Sequence, residues 1–201
     1  HLEKLSELIG SSKVMLYRRD YWQSTMGNFL TDALKEIAKA DISFFPAWRY
    51  GATILPGKIT VEDVYNVVPT DGKIITYLIK GKELKTVVEN ILEGVSGIDS
   101  YARVGGDMIR FSGMKLVCNL RQKSGRKILS MTVGGEPLSE GKDYIVASVH
   151  TRFQNNPLFG ATGISDTGKV FVEELISYIR NNSPISSELD DRINLKTISF
   201  N

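Results

Sequence analysis

The sequence predicts an α+β domain, a single layered body of mixed sheet with helices packed on it. Three observations lead there. Residues 25–40 and 84–95 repeat apolar side chains at i, i+3, i+4 and i+7, and each stretch adjoins a short apolar run of strand character, 42–45 and 73–80. The later half changes character, with strand patterns at 114–120, 128–133 and 144–149 separated by the turn signals Lys123-Ser124-Gly125 and Gly134-Gly135. At 201 residues, 42% hydrophobic and 24% charged, the chain is long enough to bury a core without disulfide staples.

Taken in order, Leu2, Leu5, Leu8 and Ile9 stand at helical spacing before Gly10, so residues 1–10 read as the end of an interdomain linker helix and 11–201 as the domain proper. A strand is expected over 13–19. The helix over 25–40 has Met26, Phe29, Leu30, Ala33, Leu34, Ile37 and Ala38 on one face and Ser24 or Thr25 as its N-cap. Strand 42–45 leads to a loop with Trp48, Arg49, Tyr50 and Gly51. Thr60 with Asp63 three residues on predicts a capping box for a short helix through Val68. Strand 73–80 and a turn at Gly81 precede the second long helix, with Leu84, Val87, Val88, Ile91, Leu92 and Val95 on its face. The three later strands predict an antiparallel meander. A helix over 168–180, a stop at Pro184 and a strand over 193–198 end the chain.

Composition excludes several functions. Lys plus Arg number 25 against 23 Asp plus Glu, a net charge of +2 with like charges no denser than pairs such as Arg18-Arg19, so no polyanion-wrapping surface and no nucleic-acid partner is expected. Apolar runs such as 74–79 fall far short of the roughly 20 residues that cross a bilayer, so no membrane span is expected. Cys118 has no second cysteine to pair with, and His1 and His150 are the two histidines, so a Cys/His zinc site is not expected. One thiol leaves the redox compartment open, and His1 in place of Met reads as a mature piece or an excised domain.

Two features invite a chemical reading. Residues 163–170, GISDTGKV, match the Gly-x4-Gly-Lys start of a phosphate-binding loop, but Val170 stands where a hydroxyl would reach magnesium, and helix capping by Ser165, Asp166 or Thr167 is the plainer expectation. More informative are arginines beside aromatics near strand ends: Arg18 and Arg19 among Tyr17, Tyr21 and Trp22, Arg49 between Trp48 and Tyr50, and Arg152 before Phe153. A guanidinium fork suits oxyanions, and a neighbouring ring lowers the local dielectric or stacks on a flat ligand. Packing of rim arginines over core aromatics is the alternative. With no cluster of histidines and carboxylates, no catalytic residue is assigned to this chain.

The segments TMGNFLTDAL (25–34), ITVEDVYNVVPTDGKIITYLIKGKELK (59–85), RVGGDMIRFSGMKL (103–116) and GEPLSEGKDYIVAS (135–148) resemble, in order and spacing, the C-terminal domain of the 5'-nucleotidase superfamily. The resemblance implies an N-terminal metallophosphoesterase domain of the same protein, which holds two divalent metals and a catalytic His/Asp dyad. The present domain would be the half that recognises a small anionic substrate. Nucleotide-cleaving members bind phosphate with arginines just before the Met-Gly-Asn helix and in a glycine-rich loop, which correspond to Arg18 or Arg19 and to Arg49. They sandwich the base between two phenylalanines. Here the glycine loop is Phe44-Phe45-Pro46-Ala47-Trp48-Arg49, the first ring position is Thr70, and the second segment is replaced by residues 155–160, which include Phe159.

These departures, with LYRRDYW (16–22) and GGDMIRFSGMK (105–115), look like the SoxB-type thiosulfohydrolase branch. That branch implies hydrolytic release of sulfate from a sulfane chain held on the cysteine of a sulfur-carrier protein, in the periplasm or another extracytoplasmic compartment. A binding or interaction module without turnover is the third expectation. Upstream Asp-x-His and Gly-Asn-His-Asp motifs would separate the hydrolases from that module.

Overall fold

The computed structural model describes residues 2–18, 20–47, 51–70, 72–97, 107–149 and 160–196. The first part runs α1 (Leu2–Leu5), β1 (Leu8–Ser12), α2 (Thr25–Ala38), β2 (Ile42–Phe45), β3 (Gly57–Thr60), α3 (Val61–Val67), β4 (Lys73–Lys80) and α4 (Gly81–Ser96). The second runs β5 (Arg110–Ser112), β6 (Met114–Cys118), β7 (Ile128–Val133), β8 (Glu136–Pro137), β9 (Asp143–Val149), β10 (Thr162–Val170), α5 (Phe171–Asn182) and β11 (Ile193–Leu195). This is the mixed α+β architecture the sequence predicts.

A five-stranded sheet of order β10-β4-β9-β2-β5 forms the centre, with β2 and β9 parallel and the other neighbours antiparallel. Its strands alternate between two apolar layers. Phe45, Ile74, Ala147 and Val149 face one core, shared with α2, α3 and α5, while Ile42, Phe44, Tyr77, Ile79, Tyr144 and Val146 face a second, shared with α4 and the sheet β11-β6-β7-β8. Both faces of β9 and β2 are therefore apolar, which fits strands covered on both sides.

Local signals hold where local physics decides. Ser24 caps α2, its hydroxyl accepting from the Gly27 amide at 3.1 Å. The capping box on α3 is complete: the Asp63 amide donates to Thr60 Oγ1 at 3.3 Å and the Thr60 amide to Asp63 Oδ2 at 2.7 Å.

Long-range pairing overrides several other expectations. The helix expected over residues 2–9 closes at Leu5, because Leu8–Ser12 pairs antiparallel with Gly57–Thr60, a strand the sequence reading did not anticipate. Gly10 lets β1 lie against α5, since a Cβ there would fall 2.8 Å from Ile179 Cγ2. The strand expected over 13–19 reduces to a bridge between Leu16 and Ile54. Gly81 opens α4 in place of forming a separate turn; a Cβ there would sit 2.1 Å from the Ser139 carbonyl oxygen. The expected meander breaks after β7: β9 leaves to lie between β4 and β2, where its two apolar faces meet the two cores. Residues 163–170 form no phosphate loop, and Ser165, Asp166 and Thr167 do not cap a helix. They lie in edge strand β10, paired with β4, and α5 starts at Phe171 with Val170 at its N-cap and no side-chain cap. The terminal strand is Ile193–Leu195, parallel to β6, and residues 197 onward lie outside the described residues.

Candidate functional site

Because β2 and β9 are parallel, their C-terminal ends come to the same end of the central sheet, and the antiparallel strands β4 and β5 begin there. The register fixes this: Phe45 opposes Arg110, Phe44 opposes Ser148, and Ile74 opposes Val149. The N-terminus of α2 sits over the same end, with Gly27 against the side chain of Arg110. The described parts of the segments expected to carry a site adjoin the sheet or α2 here: 16–18 and 20–24 before α2, 46–47 after β2, and 68–70 before β4. Loops at one end of a rigid sheet are where binding groups collect.

The loop ahead of α2 is held by a dense set of bonds. Thr25 Oγ1 donates to the Met15 carbonyl at 2.9 Å and accepts from the Tyr17 amide at 3.0 Å. Asp20 Oδ1 accepts from the amides of Trp22 and Gln23 at 3.0 and 3.4 Å. The Tyr21 hydroxyl donates to the Val95 carbonyl at 2.9 Å, tying the loop to the end of α4, and its ring meets Trp22 edge-on at 5.0 Å. The Met108 amide donates to the Tyr21 carbonyl at 3.0 Å.

Of the expected site residues, Arg18 is buried and its Nη2 donates to the Val67 carbonyl, so it joins the loop to the end of α3. Gly51, at φ 114°, keeps the chain close to this guanidinium: a Cβ there would lie 3.0 Å from Arg18 Nε. Thr70 is half-buried, and its hydroxyl, shielded from water, has no hydrogen-bond partner among the described residues. Arg19, Trp48, Arg49 and Phe159, with His150, Arg152 and Phe153, lie outside the described residues.

Sequence reasoning passed over Arg110. Its residue is 4% exposed, yet it stands on the α2 side of the sheet at the site end. Nη2 donates to the Asp20 carbonyl, Asp107 Oδ2 lies 3.9 Å from Nη2, and Nη1 has no hydrogen-bond partner among the described residues. Burial holds this guanidinium below the ordinary arginine value, against the opposing charges of Asp107 and Asp20. A cation inside the apolar run Met108-Ile109-Arg110-Phe111 was the available signal.

Elsewhere, a cavity of about 320 Å³ at the opposite end of β5 is lined by residues including Asp32, Ser112, Lys115, Asp190 and Arg192. The Arg192 guanidinium is taken up by Asp190, Asp32, the Phe111 carbonyl and Thr31 Oγ1. No group of three His, Cys, Asp or Glu side chains that could hold a metal occurs among the described residues. Cys118 is buried in β6, and burial, with Glu89 adding to it, pushes its thiol up to about 12, so it is not a nucleophile at neutral pH. No described helix is long and apolar enough to cross a membrane.

Known proteins place this geometry in context. SoxB, the sulfate thiohydrolase of Thermus thermophilus, superposes with a TM-score of 0.85 at 26% identity, covering 100% of this chain and 37% of that one. A 5'-nucleotidase precursor, also from Thermus thermophilus, shares the fold, with a TM-score of 0.78 at 22% identity over 98% of this chain and 41% of its own. An apyrase from Tabanus yao is 26% identical over 96% of this chain and 39% of its own length. The chain thus spans about two fifths of the length of these relatives. Since its residues 8–162 match the family described as 5'-nucleotidase, C-terminal domain, the chain belongs to that family.

Proposed function

We propose that this domain, with its body at residues 11–201 and the connection to its partner domain entering through residues 1–10, is the substrate-recognition half of a 5'-nucleotidase-type hydrolase. What supports the reading is the gathering of the loop ahead of α2, the exit of β2 and the start of β4 at one end of the central sheet, in a chain of this family. Arg19 and Arg49 are the anion-binding residues in this reading, Arg18 holds the loop to α3, and Trp48, Thr70 and Phe159 are the further substrate-binding residues. The family's N-terminal domain binds metals, and that domain of the same protein would supply the two divalent ions and the catalytic groups. The described residues of this chain gather no ligand set for them. An extracytoplasmic, periplasmic location goes with this reading.

A SoxB-like role is the second reading, favoured by the fit to SoxB over the full chain at 26% identity. The substrate would then be a sulfane sulfonate on a carrier-protein cysteine. Cys118 is buried and is not the cysteine meant. The two readings differ in the base clamp. Losing one stacking partner forfeits about 1–3 kcal/mol in base-binding sites, roughly tenfold or more in affinity. Calorimetric titration of the chain with adenosine monophosphate is the test. Binding no tighter than about millimolar is expected. A dissociation constant of a few micromolar would show a rebuilt clamp, with Trp48 and Phe159 as its rings, and would favour nucleotides over the sulfur chemistry.

A further inference from the structure

We infer that Arg110 is a positioning residue for anion recognition, a buried clamp that sets the main chain of the loop carrying Arg18 and Arg19. The inference rests on the reading of that loop as the anion-binding segment. Three observations carry it. First, the Arg110 Nη2 contact is to the carbonyl of Asp20, the residue directly after Arg19, and the Met108 amide takes the next carbonyl, that of Tyr21. Met108, just before β5, and Arg110, its first residue, thus fix two consecutive peptides of the loop. The same Asp20 turns the chain into α2 by accepting from Trp22 and Gln23.

Second, the contact depends on a specific approach. The Arg110 arm crosses the first turn of α2 where Gly27 has no side chain; a Cβ there would stand 2.8 Å from both Cγ and Cδ. Gly27 lies inside a helix, where glycine is a poor former relative to alanine. The space it leaves is filled by this arginine. Third, the guanidinium is nearly sealed from water and Nη1 has no partner among the described residues. Such burial is costly for a charge, and a sealed Nη1 is not placed to touch a solvent-borne ligand. A role through the loop accounts for the arginine; a direct ligand contact does not.

The test uses the 201-residue chain and inorganic sulfate. Arg110→Met, Arg110→Lys and Gly27→Ala are compared with the parent chain by ¹⁵N NMR titration, at a temperature where each is folded by circular dichroism. Amide hydrogen exchange at Trp22 and Gln23 is followed in parallel. Lysine keeps the charge but lacks the planar fork. Arg110→Met and Arg110→Lys are expected to weaken sulfate binding by about tenfold, and Gly27→Ala to do the same although alanine favours the helix. Wild-type affinity in Arg110→Lys would mean that charge, not placement, matters, and would overturn the inference. Unchanged affinity in all three variants would overturn it as well. Should the parent chain itself bind no sulfate, the anion-site reading fails separately. Faster exchange at Trp22 and Gln23 in Arg110→Met then still supports the clamp, and unchanged exchange overturns it.

Discussion

Replacing Arg192 with methionine should destabilise the domain by roughly 2–4 kcal/mol. Arg192 bonds Asp190 Oδ1 at 2.7 Å and Oδ2 at 2.8 Å, Asp32 Oδ2 at 3.2 Å, the Phe111 carbonyl at 2.8 Å and Thr31 Oγ1 at 3.3 Å. It thereby fastens the segment before β11 to α2 and β5. The Asp32 and Asp190 side chains are 46% and 47% exposed, so water takes them back when the cation goes, and each pair contributes only about 0–1 kcal/mol. The buried groups weigh more: the Phe111 carbonyl loses a charged donor, a change worth about 1–3 kcal/mol. For a chain of this length the total lowers Tm by about 5–15 °C. Burial tends to raise the Asp190 carboxyl, but hydrogen bonds and charge from Arg192 outweigh that and hold it below its usual value. A carboxyl lowered in the folded state adds stability above its unfolded value near about 3.9, lost as pH falls through the folded value. The gap between the native chain and Arg192→Met should therefore narrow below about pH 4. Urea unfolding at pH 7 and at pH 3 measures both effects. A variant within about 0.5 kcal/mol of the native chain at pH 7 would show that these bonds add no net stability.

Two further outcomes follow from local geometry. Thr60→Ala removes the hydroxyl that caps α3 and should cost about 1 kcal/mol in chemical unfolding; no change would show that the cap is redundant with the packing of Val61, Val64 and Val67. Cys118 should resist thiol reagents at pH 8 in the folded chain and label fully in urea, and fast labelling of the native protein would contradict its burial.

The features readable from sequence were those set within a few residues. The Thr60–Asp63 capping box, the Ser24 cap and the apolar faces of α2 and α4 follow from spacing alone. The failures share a cause. Leu8 and Ile9 fit a helical period, yet they extend because a strand nearly fifty residues later pairs with them. The pattern at 144–149 fits a meander, yet its partners are β4 and β2, and only the two-sided burial of Tyr144, Val146, Ala147 and Val149 hints at a central position. At the site, a search for arginines in loops beside aromatics finds Arg18 and its neighbours. It passes over Arg110, because a charge on an edge strand reads as solvent-facing until the register shows that α2 lies over it.

If one end of the five-stranded sheet recognises an anion, inorganic sulfate added to the chain should shift ¹⁵N resonances there. Saturable changes are expected in residues 16–27, 46–51 and 107–110, with β6, β7 and β8 unmoved, and these changes should be lost in Arg49→Ala. Changes centred instead on the Asp32, Lys115 and Arg192 cavity, or no saturable change at tens of millimolar sulfate, would contradict anion recognition at this end.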